Sequence, residues 1–340
     1  MVNLIFKIPL NHPLVFLLNI ISSFISSVPL LLARRPKIAI VSFPGGDSGS
    51  GFIIACSILK IKYIVDYRDE WENQLIYASQ LTRFSRGFYL FMKKISIFYY
   101  KRARFVSAVT IPFVVDLKKK GVTCVMHFPN GAVTSLFRPV VRRPDNDFFS
   151  IIYSGGVGEY YRLDVVLSAL KILADKNLKN IRLLIVGRGT NEHILYNLQK
   201  YSRQLGIQNS LVYLGNKSNV NELSKIIAEA DVGIIPFDDN LLWKNALTAK
   251  FFEYCSSGLP VIATVFDDSL LAKVISENRI GLTSHPLDDK GLADVIQKIY
   301  GDKEFRESAG KRARILVEHH FDRNNISKEF LNAVCEVIKC

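Results

Sequence analysis

The chain has 340 residues, 49% hydrophobic and 22% charged, which is enough for two domains with their own cores and too apolar for a disordered chain. Its formal net charge is +13, and the whole excess sits in residues 1–145, with 20 Lys and Arg against 7 Asp and Glu; residues 146–340 hold 24 of each. That asymmetry excludes a uniformly basic nucleic-acid coat and predicts one unit that faces something anionic and one that does not.

The N-terminal residues 8–33 contain no charged side chain, and the apolar run from Leu14 to Leu32 ends at Arg34 and Arg35. Its length suits a membrane span of ~20 residues. Asn19, Ser22, Ser23, Ser26, Ser27 and Pro29 instead favour an apolar helix packed on the first domain or lying in a bilayer surface, with a single span as the alternative. A cleaved signal peptide fits poorly, because Lys7 alone marks a positive leader.

Beyond Pro36 the pattern reads strand, loop, helix, strand: Lys37 to Ser42, a glycine-bearing turn over 45–51, a helix from Phe52 to Lys60, and Tyr63 to Tyr67 leading into Arg68-Asp-Glu-Trp71. Residues 83–105 predict a helix whose Phe84, Phe88, Phe91, Ile95 and Phe98 form one buried-looking aromatic stripe, with Arg83, Arg86, Lys93, Lys101 and Arg104 on the other side. A strand over 105–110, a short basic helix ending at Lys118–Lys120, and Val125 to Gly131 follow. Residues 138–147, polar with two prolines, are the linker candidate. The expected organisation is a leader over 1–36, a first domain over 37–145, a second over 146–323 and a C-terminal helix over 324–340.

The second half alternates strand and helix regularly. Strands are expected at 150–154, 181–186, 211–214, 232–236 and 260–263, and helices at 163–176, 192–205, 220–229 and from 250, with a final amphipathic helix over 325–339. Glycine-bearing turns follow two of these strands, Gly155 to Gly158 and Gly187-Arg-Gly189. With 45–51 they make three places where backbone N–H groups can approach a phosphate at a helix N-terminus, although none completes GxGxxG or GxxxxGK[ST]. Arg162, at the start of the next helix, is placed to form paired bonds to a phosphate, and Arg188 reads as a solvated loop charge. Lys250 and Glu253 lie one turn apart, where the plain reading is an i,i+3 surface pair.

Hydrolytic and metal chemistry find no support. The six histidines are scattered, HExxH and GxSxG are absent, and Asp238-Asp239 and Asp267-Asp268 read as solvated loop pairs. Cys56, Cys124, Cys255, Cys335 and Cys340 form no CxxC pair, so they read mostly as small core residues in a reducing compartment.

Lys250 followed by Phe251-Phe-Glu-Tyr-Cys-Ser-Ser-Gly-Leu-Pro-Val-Ile-Ala263 resembles the signature helix and strand of family 4 glycosyltransferases of the GT-B fold. The resemblance extends to Ala230–Pro236, Ile185–Gly189, Leu211–Gly215 and Phe128–Gly131, in the family's order, over roughly residues 36–335. It implies an α/β protein of two Rossmann-like, doubly wound domains facing a cleft, the N-terminal one either abbreviated, with the leader standing where the family has its first strand and Gly-rich loop, or read from a misplaced gene start.

It also implies a retaining transferase that takes a nucleotide-sugar donor in the C-terminal domain, needs no metal, and receives a glycan acceptor on the N-terminal side. Glu253 matches the residue that holds the donor ribose, and Asn245 stands where the family's first Glu is found. Gly155, Gly156 and Gly187 match the donor-phosphate loops. Arg162 takes the second of the family's paired basic positions and Gly156 the first, while Lys250 belongs to a subgroup reading Lys-x-Phe-Glu-Tyr. Arg68 and Asp69 are similar to a subgroup with Arg-Asp-x-Trp where many members place a His, and are carried over as site candidates.

Residues 83–120 carry ten basic residues and one Asp beside the uncharged leader. This predicts association with an anionic membrane surface, peripheral at the cytoplasmic face, and a lipid-linked acceptor in cell-surface polysaccharide or glycoconjugate synthesis. The alternatives are a catalytically weak GT-B partner subunit or binding protein, and a sugar-nucleotide epimerase on the same fold. Nucleic acid is not an expected partner, because the aromatics are not interleaved with the basic residues.

Overall fold

The computed structural model describes residues 12–42, 47–76, 82–140 and 148–339, and the chain divides into two compact units, Met1–Pro129 with Lys328–Cys340, and Asn130–Ser327. Of the segments singled out from sequence, residues 43–46 of the first glycine turn, 141–147 of the linker candidate and Cys340 lie outside the described residues. The division falls at Pro129, earlier than the expected 145, because residues just beyond it bond into the second unit. Ala132 N–H donates to the Phe321 carbonyl at 3.1 Å, and Arg314 donates to the Phe137 carbonyl at 2.6 Å.

The first unit begins with helix α1 (Pro13–Arg34), started by Pro13 after a His12 cap and stopped by Arg35 in the left-handed region. It continues through β1 (Ile38–Ser42), α2 (Asp47–Ile58), β2 (Lys62–Tyr67), α3 (Trp71–Ile76), α4 (Arg83–Tyr100), β3 (Val106–Ala108), α5 (Ile111–Lys119) and β4 (Val125–His127). The four strands are parallel in the order β1-β2-β3-β4, so right-handed crossovers place the connecting helices on one face. Val41, Val65 and Val106 point to that face. Phe105 and Phe128 meet Phe330 from the C-terminal segment instead.

Helix α2 begins at Asp47 and so takes in most of the first glycine turn. Gly51 lies inside the helix, where a Cβ would collide with the Ile20 carbonyl oxygen of α1. Its role is close helix packing. The polar residues of α1 serve the same contact: Asn19 donates to Asp47 at 2.6 Å and Ser23 to the Ser48 carbonyl at 2.6 Å.

The α4 stripe is the larger departure from expectation. Its buried face is Ser85, Tyr89, Met92, Ser96 and Tyr100, whereas Phe84, Phe91 and Phe98 are 78%, 60% and 48% exposed. Polar bonding decides this orientation. Tyr100 Oη donates to buried Glu72, as does Tyr67 Oη, and Trp71 Nε1 donates to Tyr100 Oη, each at 3.0 Å. Burial of Glu72 raises its carboxyl above the ordinary range, with the tyrosine bonds opposing that shift.

The second unit runs β5 (Phe149–Ser154), α6 (Leu163–Asp175), β6 (Ile181–Val186), α7 (Glu192–Gln204), β7 (Leu211–Tyr213), α8 (Val220–Ala228), β8 (Val232–Pro236), a 3₁₀ turn (Leu241–Asn245), α9 (Ala249–Ser256) and β9 (Val261–Thr264). Then come α10 (Leu270–Glu277), β10 (Gly281–Ser284), α11 (Asp289–Gly301), α12 (Lys303–His320) and the start of α13 (Arg323–Lys339), of which only α13 is read from the sequence. The six strands are parallel in the order β10-β9-β8-β5-β6-β7. Their almost continuous burial follows from apolar cores on both faces, with Ile152 and Ile235 in one and Ile151 and Ile234 in the other. The chain winds outward from β5 to β7 and then returns to β8 on the other side. The carboxyl ends of β5 and β8 therefore form the switch point where open α/β sheets bind ligands.

Among the cysteines, Cys56 and Cys255 are buried as expected, while Cys124 and Cys335 are exposed.

Candidate active site

Three loops converge at the switch point of the second unit. Gly155 at the end of β5 has φ +120° and Gly187 at the end of β6 has φ +151°; a Cβ on Gly187 would strike the Gly155 carbonyl. Gly155 N–H donates to the Val186 carbonyl at 2.8 Å and Gly187 N–H to the Gly215 carbonyl at 3.0 Å, so the two turns are locked edge to edge. Gly156 projects into open space. The β8 end is stitched to the same loop, with Arg162 N–H on the Pro236 carbonyl at 2.7 Å and Asp238 N–H on the Tyr160 carbonyl at 3.1 Å.

Helix α9 supplies the cation. Phe251, Phe252 and Tyr254 are fully buried and fix the helix in the core. Tyr254 packs on Gly233, which has room for no side chain, and its Oη accepts from Ser154 N–H at 2.8 Å, tying α9 to the end of β5. Lys250 is then carried inward. It is 7% exposed, so the surface-pair reading is overturned. Its Nζ lies 3.9 Å from the Tyr161 ring centroid and 5.1 Å from that of Tyr153, and 3.6 Å from where a Gly155 Cβ would stand.

Burial lowers the Lys250 ammonium to about 8, with the Glu253 charge opposing the fall. Glu253, half-buried, is raised by burial, against which the charges of Lys250 and Arg323 act. At the N-terminus of α9, the Thr248 hydroxyl oxygen is buried without a protein partner.

Arg162 caps α6, and its guanidinium is engaged with Asp164 on the first turn of that helix, Nε to Oδ1 at 2.8 Å. That bond raises the Arg162 pKa further. The pair lines a pocket of about 500 Å3 together with Tyr161, Tyr201, Asp238 and Asp239. Asp238 is thus partly buried, with Trp243 Nε1 donating to it, whereas Asp239 is exposed at the pocket edge, as the solvated reading expects. Asn245 ends the 3₁₀ turn that follows this loop. Arg188 is an exposed loop charge. Among the described residues no group of three His, Cys, Asp or Glu could hold a metal ion.

Gly155, Gly187 and Lys250 are therefore in one place, with Gly156 and Glu253 adjoining and Arg162 one residue from the Tyr161 ring. Sequence reasoning missed Tyr153, Tyr161 and Asp164, which line or orient this site; the signal available was the aromatic run Tyr160-Tyr161 just after a glycine loop. Arg68 and Asp69 belong to the first unit, in the turn after β2. Arg68 Nη1 is 3.2 Å from Asp66 Oδ2, and displacement of water around Asp69 raises its carboxyl, against the lowering effect of Arg68.

The chain matches the family described as glycosyl transferases group 1 over residues 137–316, just over half its length. It is 25% identical over 182 residues to an uncharacterized glycosyltransferase of Methanocaldococcus jannaschii. That match covers 54% of this chain and 43% of the relative, so the chain spans less than half the length of that protein.

The fold is shared with Anabaena HepE, whose crystal structure is in complex with UDP-glucose (TM-score 0.73, 13% identity, 92% of this chain and 82% of that one). It is also shared with a Rickettsia africae glycosyltransferase (TM-score 0.69, 16% identity, 96% and 83%). Two parallel α/β sheets of GT-B type, and the match through the whole switch-point sheet, carry one conclusion: the chain belongs to the glycosyl transferases group 1 family.

Proposed function

We propose that the protein is a retaining glycosyltransferase that moves a sugar from a nucleotide-sugar donor to a glycan acceptor. The observation that carries this reading is Lys250, a buried ammonium facing aromatic rings and a glycine loop, where an anion at hand offsets its desolvation. HepE's complex with UDP-glucose, on the same fold, supports a nucleoside diphosphate in this role.

The donor diphosphate lies against Lys250 and the amide of Gly156, with Gly155 and Gly187 leaving room for it. Glu253 holds the ribose hydroxyls, and Asn245 is a neutral partner for a sugar hydroxyl. Arg162 takes the leaving phosphate by sharing its guanidinium between Asp164 and phosphate oxygen.

As the anomeric C–O bond breaks, positive charge develops on the sugar and negative charge on the nucleoside diphosphate. Lys250, Arg162 and the Gly156 amide stabilise the latter. The acceptor hydroxyl forms its new C–O bond on the same face, and its proton passes to the departing phosphate oxygen. No protein base and no metal ion is required in this scheme. Arg68 and Asp69 of the first unit are the acceptor-side candidates. The acceptor is a lipid-linked glycan presented at the inner face of an anionic membrane, in keeping with the basic first unit.

Arg162→Ala and Glu253→Ala are expected to abolish sugar transfer while leaving the fold intact. Wild-type turnover in either folded variant overturns the assignment. Asn245, and the engagement of Arg162 by Asp164, favour one second reading, a catalytically weak partner subunit. Donor hydrolysis by the isolated wild type decides against it.

A further inference from the structure

The first unit leaves two apolar helix faces uncovered, and they belong to helices that touch. On α4, Phe84, Phe91 and Phe98 recur at seven-residue spacing on the exposed side, with Leu90 beside them. On α1, Leu14, Leu18, Ile21 and Ile25 are exposed opposite the face that packs on α2. The helices meet where the Phe16 ring contacts the rings of Phe88 and Tyr89 at 5.9 and 5.5 Å. Exposed apolar surface on this scale marks an interaction site.

Its rim is cationic. Arg83, Arg86 and Lys94 are exposed on α4, neither helix carries an acidic residue, and the Arg102 guanidinium lies 3.4 Å from the Phe98 ring centroid. Aliphatic and aromatic side chains ringed by Arg and Lys fit the boundary between acyl chains and anionic headgroups. They do not fit single-stranded nucleic acid, whose bases need aromatic platforms set among phosphate contacts.

We infer that α1 and α4 form an in-plane membrane platform, with the Phe84–Phe91–Phe98 ridge and the outer face of α1 sunk into one leaflet of an anionic bilayer. In this platform α1 does not span the membrane. Its other face is committed to α2 through Gly51, Asn19 and Ser23, a contact that lipid all around the helix would have to replace. The inference rests on the reading of the first unit as the side that meets a lipid-linked acceptor.

Co-sedimentation of the full chain with phosphatidylcholine vesicles, with and without about one third phosphatidylglycerol, at low salt and at about 0.5 M salt, tests it. Wild type is expected on anionic vesicles at both salt levels. The Phe84→Ser, Phe91→Ser, Phe98→Ser triple variant should lose binding at least about tenfold at both. Replacing Arg83, Arg86 and Lys94 by Gln should remove only the low-salt gain.

Phe91→Trp, measured as a difference from wild type, should shift to the blue on vesicles and be quenched by lipid brominated near the headgroup. Unchanged vesicle binding by the triple variant overturns the proposal, as does quenching only by lipid brominated at the chain ends. Resistance of wild type to alkaline extraction assigns α1 a span instead. A Phe-dependent dimer, or oligonucleotide binding in place of vesicle binding, assigns the face to another partner. Thermal shift with UDP reports the second unit independently: vesicle binding without it fails the transferase reading alone, and the converse fails the platform alone.

Discussion

Lys250 shows how one side chain can work against stability and for function. Its ammonium is held at about 8 in the fold against 10.5 when solvated, because burial disfavours the charged form. A depressed folded value means that Lys250 favours folding above its unfolded value of 10.5, and that this contribution is lost as pH falls through about 8. At neutral pH the buried charge therefore opposes folding, by about 3 kcal/mol at ~1.4 kcal/mol per pKa unit. Lys250→Met should raise the melting temperature of the ligand-free protein at pH 7, with the gain disappearing toward pH 10.5, and should weaken UDP binding by about tenfold or more. An anion beside the ammonium favours its charged form, so UDP binding by wild type takes up a proton above pH 8 and its affinity falls there. Lys250→Arg should bind with no such fall. Calorimetric titration in buffers of different ionisation enthalpy measures the uptake, and a wild-type affinity flat from pH 7 to 10 would remove Lys250 from the diphosphate.

At the scale of elements, the site depends on how α9 is tied to β5. Tyr254→Phe leaves the Ser154 N–H without its partner, which costs about 1–3 kcal/mol in urea unfolding. Because that bond sits one residue before Gly155, UDP binding should weaken as well; a stability loss with unchanged binding would separate the tie from the loop. In the first unit, Gly51→Ala forces α1 away from α2 at the Ile20 carbonyl, an overpacking penalty of about 1–3 kcal/mol. Faster proteolysis within residues 13–34 than in wild type is the expected sign. Gly51 also shows why some elements were illegible: a glycine run before a helix reads the same whether it cradles an anion or admits a neighbouring helix, and only α1 distinguishes the two. The α4 stripe misled for a different reason. Hydrophobic periodicity ranks Phe above Tyr and Ser, but the Tyr100, Glu72 and Trp71 hydrogen bonds decided which face is buried. The strands of the second unit up to β9 were legible because each is a short β-branched run between turn residues. Lys250 and Glu253 were legible as part of one contiguous motif, whereas Tyr153 and Tyr161 reach Lys250 only through the sheet.

On the scale of the whole chain, the uneven charge separates two tasks. The half beginning at residue 146 is neutral, and a few placed groups, Lys250 and Arg162 among them, serve its ligand; the half before it carries the full +13. Each unit has its own core, one built around Trp71, Tyr67 and Tyr100, the other on both faces of a six-stranded sheet. Two cores predict two calorimetric transitions in the full chain. UDP at about 100 times its Kd stabilises whatever binds it by about 2.7 kcal/mol, so it should raise the transition of the second unit by a few degrees and leave the other nearly unmoved. The assignment of transitions comes from Lys250→Met, which should shift the UDP-responsive one alone. Salt sharpens the contrast: screening should weaken vesicle binding by the first unit far more than UDP binding by the second, because Lys250 is buried and Arg83, Arg86 and Lys94 of α4 are exposed. If UDP moved both transitions equally, or if salt weakened both activities in parallel, the division of labour read from the charge would fail, and the +13 would have to act at the nucleotide site itself.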